Sequence, residues 1–226
     1  MRPVGRWPRS PEELVEEQAA LAAAVPPPWR LPLGAVVGGC FLCFERGLRG
    51  SGQPGDRAWA AAALGEVTAV VAGVAGAAYE PGLLALREGS LLEGAVRALP
   101  QRPDVLLVNA TGRDHPRRAG RALQLGAVLD LPTVGVTHRS LHAAGEWPED
   151  EPARRSPLVL AGEVVGYWLR TRRGARPLAV HAAWRTDPET AVDVTLSCTA
   201  VARTPEPLRR ARTTARAARA TRRPRA

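Results

Sequence analysis

Two stretches of this chain crowd together residue types that do chemistry. The first is Tyr79-Glu80-Pro81-Gly82-Leu83-Leu84-Ala85-Leu86-Arg87-Glu88. The second is Pro103-Asp104-Val105-Leu106-Leu107-Val108-Asn109-Ala110-Thr111-Gly112-Arg113-Asp114-His115-Pro116-Arg117-Arg118-Ala119-Gly120. Arg117 and Arg118 stand at a helix start, where they either contact phosphate or serve as surface charge. Asp114 reads as a turn residue, and His181, further along, as a strand or surface residue. Cys40 and Cys43 invite a metal reading. They are three apart on an expected strand, however, so their side chains point to opposite faces. Buried small hydrophobes is the better role for both.

The elements that must position these residues follow from pattern. Residues 11–24 are acidic first and alanine-rich later, which suits a helix with its acids at the positive end of the dipole. Pro26, Pro27 and Pro28 end it. Residues 35–44, 57–64 and 66–76 read as three strands, with the glycine-rich stretch Gly47 to Gly55 as the first turn. A loop, Ala77 to Gly82, leads into a helix through about Leu99. Residues 104–109 form a short apolar strand of the buried parallel kind. A polar loop, Ala110 to Arg118, precedes a helix over 119–129 and a strand over 132–136, a βαβ unit. Residues 158–170 and 177–182 read as a hairpin or a strand pair around Arg173 and Gly174. A last helix spans 187–201, with Asp187 as N-cap and Pro188 in its first turn. The order predicts an α/β fold: a mixed sheet with helices packed against it.

Composition bounds the partners. The net charge is +9 over 226 residues. Residues 203–226 hold nine arginines and one acid, Glu206, so this segment carries +8. It reads as a disordered Arg-rich tail after a single domain over 1–202. Such a tail attracts phosphate backbones whatever their sequence. All 31 basic residues are arginine, which points to coding bias. No apolar run is long enough to span a membrane, and Met1 to Glu17 lacks the pattern of a secretory signal. Three cysteines make no disulfide framework. The expectation is a cytoplasmic monomer with no membrane partner.

The two stretches resemble the endonuclease V family, which carries a Tyr-x-Pro-Gly-x-x-x-x-Arg-Glu segment and a strand ending Val-Asp-Gly-x-Gly-x-x-His-Pro-Arg-Arg. The similarity continues through Leu129-Asp130-Leu131-Pro132-Thr133-Val134-Gly135-Val136, Glu163-Val164-Val165-Gly166, Leu169 to Gly174, Pro177 and Glu189-Thr190-Ala191. It runs from the N-terminal helix to Pro207. The resemblance implies a ribonuclease H-like fold and cleavage near inosine in DNA or RNA with Mg²⁺. It also implies that Tyr79 and Pro81 form a wedge that stacks on an unpaired base. Gly112 and His115 would then border the pocket for the flipped base, with Arg117, Arg118, His138 and Arg185 near the nucleic acid.

The same resemblance places four catalytic positions. Glu88 matches the family's Glu. Cys40 and Asn109 stand at its two Asp positions, and Trp184 at a His within Ala183-Trp184-Arg185. His138 replaces a Lys, and Ala110 replaces one of two pocket glycines. Only Glu88 and Asn109 remain to hold Mg²⁺, and Asn109 offers an oxygen without charge. A thiol is a soft ligand that disfavours Mg²⁺, and Trp184 cannot transfer a proton at neutral pH. The expected function is recognition of inosine-containing DNA or RNA with cleavage lost or weak. Two alternatives are an active nuclease with a rebuilt metal site, using Asp114 or Mn²⁺, and a non-catalytic interaction protein on the same fold.

Overall fold

The fourth strand, Val-Leu-Leu-Val, is buried along its whole length, so both faces of the sheet must be covered. In the computed structural model, which describes residues 7–221, they are. The elements in chain order are α1 (Pro11–Ala23), β1 (Val37–Phe44), β2 (Arg57–Leu64), β3 (Val67–Val74), α2 (Leu84–Arg97), β4 (Val105–Val108), α3 (Arg121–Leu129), β5 (Thr133–Thr137), β6 (Arg155–Leu160), β7 (Glu163–Leu169), β8 (Leu178–Ala182), α4 (Pro188–Ser197) and α5 (Glu206–Thr221). The eight strands form one sheet in the order β3-β2-β1-β4-β5-β8-β7-β6. β1, β4 and β5 run parallel, and every other neighbouring pair is antiparallel.

Side chains alternate across a strand, and β4 uses both sets. Leu106 and Val108 join Leu92 of α2 and Leu123 of α3 in one core. Val105 and Leu107 join Val192 of α4 and Leu208 of α5 in the other. The result is a sheet between α1–α3 on one side and α4–α5 on the other, the mixed α/β architecture expected. Ser10 caps α1 by accepting the Glu13 N–H, and Asp187 caps α4 by accepting the Thr190 N–H at 2.8 Å. No helix among the described residues is long and apolar enough to cross a membrane.

Two elements differ from the sequence expectation. Residues 158–170 are not one strand. Ala161 and Gly162, with φ of 51° and 80°, make a tight turn that splits them between β6 and β7. More consequentially, the Arg-rich segment expected to be disordered is α5 up to Thr221. Leu208, Ala211 and Ala215 recur at helical spacing and are buried against β1 and β2. The charge excess conceals this stripe, because the arginines occupy the remaining faces. Contact is close enough that a Cβ on Gly39 would lie 2.5 Å from the Pro207 carbonyl carbon. The last five residues of the expected tail, 222–226, lie outside the described residues.

Candidate nucleic-acid interface

The parallel strands β4 and β5 end side by side, and Asn109 and Thr137 mark their carboxyl ends. That edge is where open α/β sheets place their sites. A cavity of about 280 Å³ opens there, lined by Tyr79, Pro81, Asn109, Thr111, His115, Arg121 and Gln124 among others. Tyr79 is 47% exposed at this cavity. Its loop is fixed from below: Leu83 N–H donates to Glu80 O at 3.0 Å, and Gly82 turns with φ 81°. Gly82 O accepts from Gln18 of α1 at 3.0 Å and from Arg117 at 2.9 Å. Gly112 lies so near β8 that a Cβ there would sit 2.0 Å from Ala182 O, so only glycine fits.

Other candidates are committed to the fold. Arg117 bonds Gln18 and Gly82 O, and so braces the Tyr79 loop. Arg118 bonds Leu160 O at 2.9 Å and pairs with Glu163. Each guanidinium thus has two of its nitrogens engaged within the fold. His115 is buried, and burial first, then the charge of Arg117, pulls its pKa down to about 4. It therefore faces the cavity as a neutral ring at pH 7. Asp114 is fully buried and accepts the N–H groups of Leu141, His142 and Ala143 at 2.6, 2.7 and 2.8 Å. It anchors the loop after β5 more firmly than a turn residue would. His181 is equally buried on β8, its Nδ1 3.8 Å from Asp114 and its Nε2 2.9 Å from Thr137 Oγ1.

Trp184 and Arg185 do not join the site. β8 runs antiparallel to β5, so residues beyond its end lie beside the start of β5: Trp184 O accepts the Thr133 N–H at 3.0 Å. Trp184 packs in the α1–α3 core, and Arg185 reaches Pro27 O at 3.3 Å. Both are at the opposite end of the sheet from Asn109.

A second cavity of about 210 Å³ shares Asn109 with the first and lies toward α5. His138, Arg212 and Arg216 line it. Partial desolvation, then the charges of Arg203 and Arg212, lower the His138 pKa. Arg216 stacks 5.7 Å from the Phe41 ring centroid. Among the described residues, neither Arg212 nor Arg216 has an ion-pair partner.

The site residue that sequence reasoning missed is Arg121. It opens α3, and its guanidinium is ion-paired with Glu88 and donates to Asn109 O at 2.8 Å. The Arg121 and Glu88 side chains are 13% and 11% exposed. Burial pulls the Arg121 pKa down to about 10, which leaves it cationic at neutral pH. The available signal was a single arginine leading an otherwise uncharged helix, Arg-Ala-Leu-Gln-Leu-Gly-Ala-Val-Leu. Cys40 lies in the same environment, fully buried, with its thiol pushed up to about 12 by desolvation.

These groups do not fit Mg²⁺. The Glu88 carboxylate is engaged by a guanidinium, Cys40 is a protonated soft thiol, and Asn109 is neutral. Asp114 spends both oxygens on backbone N–H groups. A hard dication takes charged oxygens, and here the Glu88 carboxylate already has a cation partner while Asp114 is tied to the backbone.

Over residues 60–213 the sequence matches the family model for endonuclease V. A Methanopyrus kandleri protein named endonuclease V is 46% identical over 143 residues, covering 62% of this chain and 60% of that protein. The matches span 60%, 58% and 59% of the length of the first three such relatives. The crystal structure of endonuclease V from Streptomyces avermitilis superposes with a TM-score of 0.80 at 31% identity over 94% of both chains. That of Ciona intestinalis endonuclease V with a 24-mer DNA containing an inosine followed by a ribo-adenosine gives 0.74 at 18% identity, over 93% of this chain and 98% of that one. The latter likeness is one of fold.

Proposed function

The chain belongs to the endonuclease V family, and from that premise we propose that it binds inosine-containing nucleic acid without the metal-dependent cleavage of a nuclease. The observation that carries this reading is the cavity at the carboxyl edge of β4 and β5. Tyr79, Pro81 and His115 line it, and Glu88 beside it is ion-paired with Arg121, which supports binding without a metal. A volume of about 280 Å³ is close to the lower end of small-ligand sites, about 300 Å³. Tyr79 stands at this cavity, where an aromatic ring stacks on the neighbour of an extruded base. The Ciona intestinalis complex supports inosine as the base, and the basic face of α5 supports a phosphodiester backbone as its carrier.

The test is fluorescence anisotropy with inosine-containing and adenosine-containing strands, single and duplex, with a denaturing gel run beside it in Mg²⁺ and Mn²⁺. The expected result is preference for inosine, no nicking, and loss of affinity in Tyr79→Ala. Stacking of about 1–3 kcal/mol per base makes that loss roughly 5- to 150-fold. The melting temperature should hold, because Tyr79 is half exposed. Equal affinity for both strands, or metal-dependent nicking by the wild type, overturns the reading.

A further inference from the structure

We infer that Arg121 is a resident cation that takes the charge role of a divalent metal in this cavity and shuts the metal out. The inference rests on the reading of the cavity as the family's site. Glu88 is a buried acid whose charge, away from water, demands a partner. Arg121 sits in the first turn of α3, the positive end of a helix, where a cation is disfavoured. Folding alone selects neither residue at its place, and each explains the other.

The geometry extends the argument. One arm of the guanidinium holds Glu88; the other donates to Asn109 O at the end of β4. The cation is thus tied to both elements from which metal-binding oxygens would come. Its Nε–H is buried and has no partner among the described residues. A divalent ion between Glu88 and Asn109 would meet this charge at close range, and like charges in a desolvated site repel strongly. Glu88 is therefore the counter-ion of Arg121 rather than a vacant ligand. Restoring acids at Cys40 and Asn109 alone supplies more partners for the guanidinium and still no metal site.

The experiment titrates Mn²⁺ alone, read by its paramagnetic resonance, into the wild type, C40D/N109D, C40D/N109D/R121M and C40D/N109D/R121K. The expected result is no tight Mn²⁺ in the wild type or the double variant. The R121M triple variant should bind at least about tenfold tighter than the double, and the R121K triple should follow the double, since it keeps the charge. Melting curves with and without Mn²⁺ report folding and binding together: only the R121M triple should gain stability. The inference is overturned if the double binds Mn²⁺ as tightly as the R121M triple. It is also overturned if the wild type binds Mn²⁺ in a manner that Glu88→Gln abolishes, an arm that needs no triple variant to fold. No nucleic acid enters either arm. A lack of inosine preference therefore sinks the functional reading and leaves this one intact, and a wild type that binds Mn²⁺ through Glu88 yet prefers inosine and does not nick does the reverse.

Discussion

Replacing Asp114 by alanine separates a structural role from a catalytic one. The carboxylate is fully buried and holds three consecutive backbone N–H groups, from Leu141, His142 and Ala143. Leu141 and His142 are exposed residues, so their N–H groups regain water and lose about 1 kcal/mol each. Ala143 is buried, and its N–H left unmet costs about 1–3 kcal/mol. The expected loss is therefore about 3–5 kcal/mol, a large share of the roughly 5–15 kcal/mol that holds a typical domain. Asp114→Asn keeps one acceptor oxygen and should lose less. Urea unfolding read by tryptophan fluorescence measures both, and with m near 2 kcal/mol/M the alanine midpoint falls by about 1.5–2.5 M. A shift below about 0.5 M refutes the anchoring argument. So does Mn²⁺-dependent nicking by the wild type that Asp114→Asn abolishes at unchanged midpoint, because Asp114 would then be a metal ligand.

Three further outcomes follow from the same geometry. Burial holds the folded pKa of both His115 and His181 at about 4, below the ordinary value of 6.5, so the unfolded chain takes up protons first as pH falls. Stability is therefore complete above about pH 6.5 and is lost toward pH 4, at up to about 1.4 kcal/mol per pH unit for His181; a flat urea midpoint between pH 7.5 and 5 refutes this. Burial raises the pKa of all three cysteines, Cys40 and Cys198 to about 12, so a thiol reagent at pH 8 should titrate them only after unfolding, and a thiol that reacts at once in the native protein contradicts that. Arg212→Ala with Arg216→Ala should flatten the salt dependence of duplex binding by about 1.8 log units per decade and weaken it about 60-fold at 0.1 M. The control pair, Arg209→Ala with Arg210→Ala, removes arginines already bound to Glu206 and Glu66 and should change neither; equal effects would show that only net charge matters.

What the sequence disclosed and what it hid divide by range. Strands β1, β2, β4 and β5 and helix α1 were readable because their signals are local: apolar runs, glycine-rich turns, leading acids, a triple proline. The two stretches that carry Tyr79 and Gly112 were readable because their residue types keep their order. The roles of the arginines were not. Arg117 and Arg118 at a helix start read as either phosphate contacts or surface charge, and their contacts within the fold appear only when α1 delivers Gln18 to Arg117 across 99 residues and β7 delivers Glu163 to Arg118 across 45. Trp184 looked like a site residue until the direction of β8 put it at the far end of the sheet. The α5 stripe was present as Leu208, Ala211 and Ala215, but charge counting weighs a segment by its mean and not by its faces. Arg121 carries the same lesson into function. Counting acids along the chain finds a site short of carboxylates, and that count is correct as far as it goes. The pairing of Glu88 with a cation 33 residues later requires the fold, and it changes the conclusion: the one acid kept at the site is held by a charge that folding has already supplied.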